Sequence, residues 1–228
     1  MTSEHRKFWA AIAAKYDEVV DLQIGADARA LVRERLAQEP PLGRVAEFGC
    51  GTGFYTEVLA DRAHTVLATD LAPGMLAVAR HRTKAPNVQF QQEDCQKTSL
   101  PDSAFDTAFM SLVIQFTDKV KTLAEMSRIL KPDGMLIIAN GDPGALSPMN
   151  RFRFLVRGFY YGLTRHRTKP PKGIARSLIT LRELCELLVK SDFRVLHTET
   201  IKDASRAFNM PIDYIKAVSE RSRNAARS

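Results

Sequence analysis

The residues Val45-Ala46-Glu47-Phe48-Gly49-Cys50-Gly51-Thr52-Gly53-Phe54 constrain the fold more than any other stretch of this chain. The apolar run Arg44–Phe48 reads as a short buried strand, and glycines at every second position then break it into a turn. A strand that enters a glycine turn and leaves it as a helix is the opening unit of an open α/β sheet. There, backbone N–H groups and a helix N-terminus come close to a bound ligand. The stretch therefore specifies a fold class and the end of the sheet at which a ligand would sit.

The flanking pattern agrees. Thr52–Arg62 reads as the helix leaving the turn, Thr65–Asp70 as a strand, and Pro73–Arg82 as a helix with proline in its first turn. Val88–Gln91 and Phe105–Ser111 read as strands, Asp118–Leu130 as a helix stopped by Lys131-Pro132-Asp133-Gly134, and Met135–Ala139 as a strand. Upstream, Phe8, Ile12, Tyr16 and Val19 lie at helical spacing within Glu4–Val20, and a second helix, Asp27–Gln38, ends before Pro40 and Pro41. Downstream come a helix, Thr180–Lys190, and strands at Phe193–Ile201 and Ile212–Ser219. Such alternation implies a doubly wound, mostly parallel sheet with helices on both faces. The 228 residues fit one domain. Its expected parts are an N-terminal helical cap (1–40), a ligand-binding core (41–141), a lid insertion (142–178), and a C-terminal helix with the last two strands (179–228).

Composition excludes several classes. Apolar residues make up 45% of the chain, and no window approaches the roughly 18 consecutive apolar residues of a membrane span. Charges interrupt the N-terminal apolar patch, and no small-residue cleavage site follows it, so a cytoplasmic protein is expected. Three cysteines without a CxxC pair and five histidines without HxH or HExxH spacing suggest neither a disulfide framework nor a metal site. The net charge of +7 is segregated: residues 1–150 carry −3 and residues 151–228 carry +10, with eight Lys/Arg and no acid between Arg151 and Arg176.

Two kinds of ligand use a glycine turn of this sort. A dinucleotide fingerprint needs a third glycine where Phe54 stands, so the pyrophosphate reading weakens. Asp70, ending the second strand, suits a ribose diol on any nucleoside. Glu47, Asp70 and Asp94 gathered at the carboxyl edge of the sheet would repel a pyrophosphate, but would suit a ligand carrying a sulfonium and an ammonium.

At this point AEFGCGTG resembles the first motif of class I S-adenosylmethionine-dependent methyltransferases, and TDLAPGML resembles their second-strand motif. EDCQKTSLPDSAFDTAFMSLVIQF resembles their adenine-binding loop and fourth strand, and LAEMSRILKPDGMLIIAN their following helix, turn and fifth strand. The resemblance runs from about Arg44 to Asn140, with FRVLH and PIDYIKAVS standing where that family has its sixth strand and antiparallel seventh. It implies a seven-stranded Rossmann-like methyltransferase sheet and S-adenosyl-L-methionine as cofactor. Gly49, Cys50, Gly51 and Gly53 would pass under the methionine part, with Glu47 shaping that end. Asp70 would hold the ribose, Leu71 and Met75 would pack near the adenine, and Asp94 with the Cys95 amide would meet its amino group. Met110, Ser111 and Leu112 would line the reactive methyl, and Tyr16 stands where many members close the site with an aromatic.

Methyl transfer from a sulfonium needs a base only where the acceptor keeps its proton, and no catalytic motif is present. His166 and Tyr16 are the candidate bases. Gln115, Phe116, Arg153, Tyr160 and Asn209 are candidate acceptor contacts. The aromatic and basic insertion after the fifth strand could hold an apolar, anionic acceptor or lie on an anionic membrane. The expected activity is methylation of a small or medium-sized acceptor, aromatic or acyl, by a monomer or homodimer. The alternatives are action on a lipid or quinone at a membrane surface and an RNA-binding methyltransferase using the basic last third. No NPPY-like tetrapeptide follows the fourth strand, which disfavours the latter.

Overall fold

The computed structural model describes residues 3–146, 148–150, 152, 156, 178–202 and 210–221. Seven strands form one sheet: β1 (Gly43–Phe48), β2 (Ala63–Asp70), β3 (Val88–Gln92), β4 (Phe105–Ser111), β5 (Leu130–Gly141), β6 (Phe193–Ile201) and β7 (Ile212–Ser219). Their order is β3-β2-β1-β4-β5-β7-β6. β1 to β5 run parallel, and β7 is antiparallel to both β5 and β6.

The α-helices whose bounds are described are α1 (Ser3–Ile12), α2 (Tyr16–Gln23), α3 (Ala26–Ala37), α4 (Thr56–Arg62), α5 (Pro73–Arg82), α6 (Lys119–Ile129) and α7 (Leu181–Lys190). β1 is buried on both faces, which is why its sequence is a continuous apolar run and not an alternating one. On one face Val45, Phe109, Ile137 and Tyr214 pack with Val32 and Leu36 of α3, Leu59 of α4 and Leu76 of α5. On the other, Phe48, Met110, Ile138 and Ile215 pack with Leu123 and Met126 of α6 and Leu184 and Leu188 of α7.

Three boundaries differ from the sequence expectation. The helix after the glycine turn starts at Thr56, not Thr52, because Gly53 still has φ +78° and no right-handed helix can begin before it. The long N-terminal helix is broken by a 3-10 turn at Ala13–Lys15. The break lets α1 lie against α5, where a Cβ on Gly74 would meet Ala10 Cα at 2.9 Å, while α2 turns towards the glycine loop. The fifth strand already pairs at Leu130 with Phe105, and Lys131–Gly134 then bulges out with Asp133 at φ +58° before pairing resumes at Met135.

Candidate functional site

Connections from β1 run outward through β2 to β3, and those from β4 run the other way through β5. The chain thus reverses its winding between β1 and β4, where open α/β sheets form a crevice at the strand carboxyl ends. The glycine turn fills that place. Gly49, Gly51 and Gly53 have φ of +64°, +55° and +78°, and a Cβ on Gly49 would lie 2.4 Å from Val113 Cγ2. A Cβ on Gly51 would instead point to Tyr16, 3.5 Å away across the opening. The Gly51 N–H donates to Asp70 Oδ2 (3.0 Å) and the Ala72 N–H to Asp70 Oδ1 (2.8 Å), tying the turn to the end of β2. Each carboxylate oxygen keeps further lone pairs for a ligand.

Two adjoining clefts open here, both continuous with solvent. They share Tyr16, Gly49, Gly51 and Leu112. Leu112 takes φ +56°, a left-handed conformation costly for leucine, which turns the chain aside at the end of β4.

The larger cavity is walled by Trp9, Leu71, Met75 and Phe116, with Asp70 and Glu93 at its edge. It suits a flat apolar base attached to a diol. The smaller one is polar at its end, where Arg29, Glu47, Tyr55 and Ser111 meet. Glu47 is buried, and Thr56 Oγ1 donates to its Oε2 at 2.7 Å. Burial, reinforced by the charge of Asp70, pushes its carboxyl up to about 8. Asp70 is likewise raised by burial, against the backbone N–H groups that favour its charged form. Two neighbouring acids that both resist ionisation are stabilised by a cationic ligand. The buried Tyr55 and Ser111 hydroxyls, adjacent to Arg29, make no well-formed hydrogen bond among the described residues. Orphaned groups of this kind suit the ends of an amino-acid moiety. Burial raises the Cys50 thiol well above its ordinary range and the Cys95 thiol to about 12, so both act as small neutral wall residues.

The sequence-derived candidates distribute as follows. Tyr16 lines both cavities, Asp70, Leu71, Met75, Cys95 and Phe116 the larger, and Glu47, Cys50 and Ser111 the smaller. Gly53 packs instead on Ala79, and Met110 lies in the core on the α6 side. Asp94 Oδ1 accepts from the Gln96 N–H at 3.0 Å, while Glu93 and Cys95 on either side of it line the larger cavity. Gln115 is buried with Oε1 unpartnered among the described residues. Arg153, Tyr160, His166 and Asn209 lie outside the described residues. Trp9, Arg29 and Tyr55 were not singled out by the sequence. Trp9 stands at helical spacing from Ile12 and Tyr16, which is a usable signal, whereas nothing local marks Arg29.

Residues 46–138 match the methyltransferase-domain family. A malonyl-acyl-carrier protein O-methyltransferase of Serratia marcescens is 35% identical over 138 residues, covering 60% of this chain and 52% of that protein. The ubiquinone/menaquinone biosynthesis C-methyltransferase UbiE of Vibrio parahaemolyticus is 32% identical over 152 residues, covering 62% of this chain and 58% of that protein. The chain thus spans a little over half the length of these relatives. Among solved structures, an S-adenosylmethionine-dependent methyltransferase from Mesorhizobium loti superposes with a TM-score of 0.64 at 22% identity, over 84% of this chain and 97% of that one.

Proposed function

We propose that this chain, whose residues 46–138 match a methyltransferase domain, is a class I methyltransferase that transfers a methyl group from S-adenosylmethionine to a small or medium-sized acceptor. The observation that carries this reading is the pair of cavities joined under Tyr16, one apolar beside Asp70 and the other ending in Glu47, Arg29 and two unsatisfied hydroxyls. The residues fit S-adenosylmethionine: Asp70 accepts from the ribose, Leu71, Met75 and Trp9 enclose the adenine, and Glu47 faces the amino-acid end. When bound, the cofactor supplies an electrophilic methyl on a sulfonium, open to in-line displacement. The protein's own part is alignment and exclusion of water, which Tyr16, Leu112 and the N-terminal cap perform. The acceptor reading, aromatic or acyl with an anionic group, draws support from relatives named as a malonyl-acyl-carrier protein O-methyltransferase and a ubiquinone/menaquinone biosynthesis C-methyltransferase. Incubation with methyl-labelled cofactor and a panel of acyl thioesters, free carboxylic acids and quinols tests it. Label transfer to none of them, in protein that binds the cofactor, would discard that acceptor class.

A second reading, action at an anionic membrane surface, is favoured by one observation. Met149, Phe152 and Val156 expose 61%, 63% and 49% of their surface beside the run of eight basic residues. No helix among the described residues is long and apolar enough to cross a membrane, so contact would be peripheral. Co-sedimentation with phosphatidylglycerol vesicles, lost when Phe152 and Val156 become serine, tests this reading.

A further inference from the structure

Most of the N-terminal cap is held by something other than the hydrophobic core. Of the residues in α1, the 3-10 turn and α2 whose side chains are described, only Ala13 is a buried apolar residue, in a small cluster with Ala72 and Met75 that Trp9, Ile12 and Tyr16 flank, while Val20 is half-buried against the main core. Elements with so little buried area belong to the low-stability end of a protein, so polar contacts decide whether they stay docked.

Those contacts converge on one carboxylate. Asp17 Oδ1 accepts from Arg29 Nη2 of α3 (2.9 Å) and from Thr52 Oγ1 of the glycine turn (2.9 Å). Asp17 Oδ2 accepts from Arg82 Nη2 at the end of α5 (2.6 Å). Arg82 Nη1 in turn donates to the Thr52 hydroxyl and carbonyl at 3.0 and 3.1 Å. Arg29 also donates to Asp21 Oδ1 at 2.7 Å and stacks over the Phe54 ring at 3.7 Å, so its position is over-determined and its charge is balanced. Two helices, α3 and α5, and the glycine loop are therefore tied to α2 through the Asp17 side chain, with Asp21 adding a second tie to α3. Its neighbour in sequence, Tyr16, lines both cavities. Burial alone would raise the Asp17 carboxyl, but the bonds from Arg82 and Arg29 outweigh it and hold the group ionised.

We propose that Asp17 is the positioning residue that latches the N-terminal cap: by joining Arg29, Thr52 and Arg82 it holds Tyr16 and Trp9 over the nucleoside cavity and limits how fast the cofactor product leaves. The proposal rests on the reading of that cavity as the cofactor site. Trp9 and Tyr16 wall one side of that cavity, so lifting the cap would open a wider exit for the nucleoside, and lifting it breaks the Asp17 bonds to Arg82, Thr52 and Arg29 together.

Trp9 is the sole tryptophan, so its fluorescence reports the cap directly. Two measurements on wild type, Asp17→Asn, Asp17→Glu and Arg82→Gln test the latch. The first is acrylamide quenching of Trp9 without ligand, which needs no assumption about the cofactor. The second is stopped-flow release of S-adenosylhomocysteine. Asp17→Asn is expected to raise the quenching constant at least twofold and speed release at least tenfold. Asp17→Glu should recover most of both, and Arg82→Gln, which cuts the most exposed arm, should give a smaller change in the same direction and stands in if Asp17→Asn does not fold. Thr180→Ala, a remote variant of reduced stability, should leave both unchanged, which separates latching from general destabilisation. Folded Asp17→Asn with wild-type quenching and release would overturn the proposal. If S-adenosylhomocysteine neither binds nor stabilises the wild type, the cofactor reading falls, and the quenching series alone still decides whether Asp17 holds the cap.

Discussion

A carboxylate inside a buried strand is costly unless something compensates it, and Glu47 has the Thr56 hydroxyl as its side-chain hydrogen-bond donor among the described residues. With its carboxyl near 8 it is protonated at neutral pH in the free protein. A proton held more tightly in the fold than in the unfolded chain stabilises the fold below about pH 4.5, and this contribution is lost progressively as pH rises to about 8. A cationic ligand favours the ionised form, so binding releases the proton. S-adenosylmethionine affinity should therefore strengthen from pH 6 to 8 and level off above, and Glu47→Gln should flatten the profile. Calorimetry at pH 7 in buffers of different ionisation heat should detect proton release in the wild type alone. Asp70→Ala should weaken cofactor binding by about 1–3 kcal/mol, since it removes a charged acceptor and also frees two backbone N–H groups. An unchanged dissociation constant would take Asp70 out of the site. Both acids were legible in the sequence because a charge within or just after an apolar strand stands out. Arg29 and Tyr55 were not, because what makes them notable is a cavity assembled from residues distant in the chain.

Within the glycine turn, two neighbouring positions separate folding from binding. Both Gly51 and Gly53 hold left-handed φ, so alanine at either is expected to cost about 1–2 kcal/mol of stability from the backbone alone. At Gly53 the new methyl would sit 3.2 Å from Ala79 Cα, against α5, and cofactor affinity should follow stability with little further loss. At Gly51 it would enter the opening beneath Tyr16, and affinity should fall well beyond what the stability change explains. Paired melting and titration of the two variants reads the difference, and equal affinity losses would remove Gly51 from the binding face. Alternation of strands and helices was readable because each strand is an apolar run and each helix carries a start or stop residue. The Thr180 capping box, in which the Glu183 N–H donates to Thr180 Oγ1 and the Thr180 N–H to Glu183 Oε2, is such a signal. Thr180→Ala should cost about 1 kcal/mol. The break at Ala13–Lys15 had no such marker, since its cause is the close seat of Ala10 on Gly74 far along the chain.

For the molecule as a whole, the relation between halves matters more than any single contact. The acidic first 150 residues supply five of the seven strands and line both cavities, and the +10 charge lies in the remainder, much of it in the insertion after β5. Alternation of strands and helices followed from local pattern, and the seven-stranded sheet with its antiparallel last strand from the resemblance, whereas the acceptor side followed from neither, because an aromatic and basic segment is compatible with substrate, membrane or solvent. Cofactor identity is therefore the property that the whole fold tests first. A ligand at about 100 times its dissociation constant stabilises the native state by roughly 2.7 kcal/mol, which for a chain of this length raises the melting midpoint by about 5–10 °C. S-adenosylmethionine and S-adenosylhomocysteine should each produce that shift, while NAD and NADP, which need a third glycine where Phe54 stands and would bring a pyrophosphate to Asp70, should produce none. A shift with NAD alone would mean that the turn at Gly49 holds a phosphate despite its acids, and the assignment of both cavities would have to be reversed.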